Sequence, residues 1–177
     1  MRIYIPIIGP LIGIVVAGLL FTAAPAFADD DPDFISISGG WYDFNRQKEQ
    51  GGEFRLEYRS DYKLWMFKPF AGVAATTTGQ AFVGAGVLVD VYFGRRWVLT
   101  PSFLANYYTG GNSKLDLGHE VEFRSQVEFA YRFDDRSRLG FAVSHYSNAG
   151  IGSTNPGTET MSVYYTFPVS HVTDWFQ

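Results

Sequence analysis

The chain contains no cysteine. An exported domain without disulfides must be held together another way, and closing a sheet on itself is one such way. A basic excess is also missing, since 14 Lys and Arg stand against 18 Asp and Glu, a net charge of −4. Nucleic acid calls for a clustered basic face, so this balance argues against it as a partner. Beyond residue 28 every apolar run is broken by charge or glycine, which excludes a helix able to span a bilayer there. Histidines are few, and His119 and His171 have no partners at metal-ligand spacing, so neither a metal nor another cofactor is expected.

The first segment is of a different kind. Arg2 precedes an apolar run from Ile3 to Leu20, interrupted by Pro10, and Ala26-Phe27-Ala28 precedes Asp29-Asp30-Asp31. Small residues before the junction and acids after it mark a signal peptidase site following Ala28. A retained transmembrane helix is the competing reading, but no cationic stop-transfer segment follows. The expected organisation is a cleaved leader over 1–28, one β-barrel domain over 29–167 and a C-terminal tail over 168–177.

Aromatic residues make up 18% of the chain and glycines number 19, with no long helical period, which suggests all-β structure. The clearest strand covers about 120–133. Val121, Phe123, Val127, Phe129, Tyr131 and Phe133 share one face, while Glu122, Arg124, Glu128 and Arg132 lie on the other. Such a run is longer than most globular strands. In a soluble sandwich or lipocalin-like barrel the charged face would meet water. In a small membrane barrel it would fill the lumen, with the apolar face in lipid. Similar alternation covers 53–59, 81–93 and 97–107. Further strands at 35–44, 138–147 and 159–167, with a poorer one at 64–76, bring the total to about eight. Short turns mostly alternate with longer loops, and Trp41, Tyr58, Trp97, Tyr107 and Tyr108 fall near strand ends as interfacial girdles would. These features favour an eight-stranded antiparallel transmembrane β-barrel. With both termini in the periplasm, its seventh strand runs outward and its last loop lies outside.

The last hairpin carries the candidate chemistry. His145 and Ser147 continue the outward face of Leu139, Phe141 and Val143, and Glu159 begins the outward face of Met161, Val163, Tyr165 and Phe167. A loop centred near Ser153 places Ser147 opposite Glu159, with His145 one step further in, all within side-chain reach. A histidine can take the serine proton while a carboxylate orients the imidazole. The bland alternative is an interfacial histidine, an idle serine and a solvated glutamate. Against it, three polar groups on an apolar face need a reason, and Glu159 beside His145 is less costly than an unpaired charge facing lipid.

The stretch Ser144-His145-Tyr146-Ser147-Asn148-Ala149-Gly150, followed by Asn155-Pro156-Gly157-Thr158-Glu159, resembles the signature of the lipid A 3-O-deacylase (PagL) family. The close similarity covers about the last 30 residues, and no Gly-x-Ser-x-Gly elbow of soluble hydrolases surrounds Ser147. The resemblance implies an outer-membrane enzyme that removes the ester-linked acyl chain at the 3 position of lipid A. It further implies Ser147 as nucleophile, His145 as general base and Glu159 as the orienting acid. Asn155, Asn148 and Gly150 are the implied oxyanion or positioning groups, Asn155 favoured. The implied partner is lipid A within the membrane, and a homodimer is one assembly that the sequence leaves open. A non-catalytic barrel serving integrity or adhesion, and a lipid A acyltransferase, remain alternatives.

Overall fold

Side chains alternate strictly between two environments along every strand. The structure, a computed structural model, describes residues 31–110 and 114–173, and the expected leader over 1–28 lies outside them. The strands are β1 (Phe34–Tyr42), β2 (Gly51–Arg59), β3 (Lys68–Thr76), β4 (Gln80–Leu88), β5 (Val91–Phe93), β6 (Trp97–Gly110), β7 (Val121–Arg132), β8 (Arg138–Ser147) and β9 (Thr158–Pro168). A short helix, α1 (Ser170–Thr173), follows. All pairings are antiparallel, and β9 pairs with β1 from Phe34↔Pro168 to Tyr42↔Thr160, so the sheet closes.

Strands β4 and β5 are two sections of one stave. The register Leu88↔Ser102 continues without a slip into Val91↔Leu99. Between them the Val89 N–H donates to the Pro101 carbonyl at 3.0 Å, and Pro101 has no N–H to return the bond. The barrel therefore has eight staves, as the sequence pattern predicts. The stave expected from residue 64 starts instead at Lys68. Leu64 and Phe67 exchange both backbone bonds in a tight turn, with Trp65 at a φ of 63°. That makes the connection 60–67 longer than the short turn expected there.

The outward face is apolar along most of its height. Phe54, Val83, Phe103, Phe129, Phe141 and Val163 are all exposed, a belt that water would not tolerate but lipid requires. Trp41, Tyr58, Trp97 and Tyr107 stand exposed near the strand ends, as girdles do. Tyr108 does not belong with them. It is 4% exposed and points into the barrel mouth, because the residue after an outward Tyr107 must face inward.

The lumen is filled in three tiers. At the end with the longer loops, Tyr42, Phe82, Tyr108, Leu115, Leu117 and Tyr146 pack together, with Phe82 stacked on Tyr146 at 4.6 Å. The middle tier is ionic. Glu57 accepts from Arg124 at 2.7 Å and from Arg59 at 2.9 Å, and Arg59 also donates to Glu128 at 2.8 Å. At the other end Asp31 and Asp90 hold Lys68 and Arg138 at 3.0–3.1 Å, and Arg132 lies 3.7 Å from Asp31. The space between Arg55, Glu57, Leu104, Arg124 and Tyr146 has no room for a water molecule. The charges on β7 thus fill the lumen, and of these Glu122 is buried with no hydrogen-bond partner for its carboxylate among the described residues.

Removing one member of a buried ionic cluster strands the others without their countercharge. Glu57→Gln leaves Arg59 and Arg124 short of a carboxylate and is expected to destabilise the barrel by about 3 kcal/mol. Urea unfolding in detergent micelles, followed by heat-modifiable gel migration, measures this. A midpoint equal to the unsubstituted protein's refutes it.

Candidate active site

The antiparallel register of β8 and β9 brings His145 and Glu159 directly opposite each other. The sequence reading placed Ser147 opposite Glu159, and this is corrected. The pairing is displaced by two residues, so Tyr146↔Thr158 is the last pair and Ser147 lies beyond it. A two-residue displacement keeps every side chain on its face, so the outward placement survives. The loop is centred on Gly152 and not on Ser153, and Ala149, Gly150 and Gly157 make its turns at φ of 54°, 80° and 62°.

His145 Nδ1 lies 3.2 Å from Glu159 Oε1. The histidine side chain is 47% exposed and the glutamate 19%, so the pair sits at the wall's surface with its acid partly covered. The imidazole edge lies over Gly157: a Cβ there would fall 3.1 Å from Cε1 and 3.6 Å from Nε2. With Nδ1 turned to Glu159, Nε2 is thus directed toward the loop, where Ser147 follows on the same face. Ser147 is half-buried beside Phe123 of β7, with no hydrogen bond to the ring. Such contacts are often loose before substrate arrives.

The loop residues are tied to one another. Asn148 is fully buried, and its amide nitrogen donates to Leu117 O at 3.0 Å and Thr154 O at 2.7 Å. Its Oδ1 accepts the Gly150 N–H at 2.9 Å. Asn155 Oδ1 accepts the Asn148 N–H at 3.0 Å, which leaves the Asn155 amide nitrogen beside the residue following Ser147. Asn148 thus fastens the β8–β9 loop to the β6–β7 loop. His119 Nδ1 accepts from the Val121 N–H at 2.9 Å, and among the described residues no three His, Asp or Glu side chains are grouped to hold a metal.

Sequence reasoning included Gly157 in the family signature but gave it no role in the site, although Pro156-Gly157 marks a turn. It also passed over Asp43 and Phe44, which reach β9 from the far end of the chain and carry no local signal.

Fold and site together define a class: a membrane-spanning β-barrel with a histidine–carboxylate pair on its lipid-facing wall. Residues 34–168 match the family described as Lipid A 3-O-deacylase (PagL), and the chain belongs to that family. It is similar to the lipid A deacylase PagL of Pseudomonas aeruginosa, at 25% identity over 130 residues, 73% of this chain and 65% of that protein. The lipid A deacylase PagL of Bordetella bronchiseptica is 31% identical over 51 residues, 29% of each chain. The chain thus spans less than two thirds of the length of these curated relatives. The crystal structure of the outer membrane enzyme PagL shares the fold, with a TM-score of 0.63 at 19% identity, covering 77% of this chain and 99% of that one.

Gly157→Ala tests what holds the imidazole. The added Cβ meets the ring edge and stands 2.9 Å from the Tyr146 carbonyl, at a φ that costs an L-residue about 1 kcal/mol. NMR of ¹³C-labelled histidine in micelles should show the His145 signals displaced. Gly150→Ala, equally strained but with nothing within 4 Å, should leave them in place. Unmoved His145 signals in Gly157→Ala would contradict this packing.

Proposed function

We propose that this protein is an outer-membrane esterase that removes the 3-O-linked acyl chain from lipid A by Ser-His-Glu catalysis. The observation that carries the reading is the 3.2 Å His145–Glu159 contact on a mostly apolar wall, with Ser147 next along the same face. Family membership supplies the substrate class.

The chemistry follows from that arrangement. Ser147 Oγ attacks the ester carbonyl carbon while His145 Nε2 takes the hydroxyl proton. Glu159 holds Nδ1–H and stabilises the imidazolium formed. The Asn155 amide nitrogen is the proposed donor to the oxyanion, with Asn148 and Gly150 fixing the loop that presents it. The bond from the acyl carbon to the sugar O3 then breaks, and the imidazolium returns its proton to O3. Water, activated by the same imidazole, attacks the acyl-enzyme, releasing the fatty acid and restoring Ser147.

Position matters as much as chemistry. The loop end is assigned to the outer leaflet, where lipopolysaccharide resides. Acyl chains can lie along Leu139, Phe141 and Val143 while the ester meets the site, and water arrives from the loop side. The filled lumen offers no route for substrate.

Lipid A from cells expressing the wild type should lose one 3-hydroxyacyl chain by mass spectrometry. Ser147→Ala and His145→Ala should slow this by about three orders of magnitude or more. Identical lipid A with wild type and Ser147→Ala, both properly inserted, sinks the proposal. Gain of an acyl chain would indicate a transferase.

A further inference from the structure

Glu159 stands at a weak point of the sheet. Its ladder with β1 ends one residue further in, at Tyr42↔Thr160, and its ladder with β8 ends one residue further out, at Tyr146↔Thr158. The carboxylate itself is hardly tethered. Oε1 faces His145, while Oε2 is buried without a hydrogen-bond partner among the described residues. Its direction therefore depends on where the backbone sets its Cα.

Two contacts from the end of β1 settle that backbone. Asp43, fully buried at a φ of 55°, turns the chain so that the Phe44 N–H donates to the Glu159 carbonyl at 3.3 Å. Asp43 Oδ1 accepts the hydroxyl of Thr158, the residue before Glu159, at 3.1 Å. Its Oδ2 accepts the Lys48 and Glu49 N–H groups at 2.6 and 2.7 Å. The two amide bonds, to residues five and six positions on, cap the β1–β2 loop within its own segment. The bond to Thr158, 115 residues away in the chain, adds nothing to that loop. Its effect falls on β9.

We infer that Asp43 and Thr158 form a clamp that positions Glu159 against His145, so that both are positioning residues for the reaction. This rests on the catalytic reading above. Thr158 carries the link and Asp43 anchors it to the loop. A misplacement of about 1 Å in such an array can cost a hundredfold in rate. Loss of one of two restraints on the backbone should cost less.

The test uses the full chain in detergent micelles, with purified lipopolysaccharide as substrate and released fatty acid as readout. Thr158→Val removes the hydroxyl at nearly constant size. It should lower kcat by about tenfold with KM within about twofold, because substrate contacts are untouched. Thr158→Ser should recover most of the loss. In a Glu159→Gln background, where the oriented carboxylate is already gone, Thr158→Val should add less than about twofold. A loss that only reflects a weakened barrel would instead multiply in both backgrounds. Asp43→Asn provides a second variant, with the same dependence on Glu159, and heat-modifiable migration reports folding for each. Wild-type kcat in Thr158→Val, or equal losses in both backgrounds, overturns the clamp while leaving the catalytic reading intact, provided Ser147→Ala is inactive. An active Ser147→Ala overturns the catalytic reading, and the clamp with it.

Discussion

Backbone N–H and C=O groups crossing hydrocarbon have no water to bond, and each one left unpaired costs several kcal/mol. The protein meets this by closing its sheet, with β9 returning to β1 over the whole length of β1, from Phe34↔Pro168 to Tyr42↔Thr160. Closure leaves each strand with only two environments, lipid outside and lumen inside. A one-residue slip anywhere would turn Glu57 and Arg124 to lipid and Phe54 and Phe129 to the lumen. That penalty keeps a regular side-chain pattern running through all eight staves, even where Pro101 removes a rung.

The same closure decides where function can reside. Most charges facing the lumen pair with one another across the barrel, as Glu57 does with Arg59 and Arg124. The interior thereby becomes a packed core and not a conduit. A group that must meet something outside the protein is left the wall or the loops. His145 and Glu159 lie where these meet, at the end of an apolar face and beside the loops that can admit water. Such a place suits an ester whose acyl chains stay in the membrane.

Precision at that place comes from elements distant in the chain. The β6–β7 loop is joined to the β8–β9 loop through Asn148, and the β1–β2 loop to β9 through Asp43. Gly157 leaves room for the edge of the imidazole because it has no Cβ to meet it. Strand ends fray when left alone, so a site built at strand ends depends on cross-links of this sort.

Much of this was legible in the sequence, because the period of two is a local property. Alternation identified the staves and put Glu122, Arg124, Glu128 and Arg132 inside and His145, Ser147 and Glu159 outside, whereas Tyr108, grouped with Tyr107 as a girdle residue, turned out to face inward. The residues 145–159 also carried the family resemblance. Three things needed the tertiary structure. The hairpin register depended on the left-handed residues Ala149, Gly150 and Gly157 and on how their loop closes, so that His145 and not Ser147 faces Glu159. The interruption at Val89 depended on a proline in the neighbouring strand. Asp43 reached Thr158 only because the first and last strands are neighbours. Sequence alone determined which face each side chain takes, since that follows from the geometry of one strand. Which residues meet across strands was decided by closure, since pairing is a property of two strands and the loops that join them.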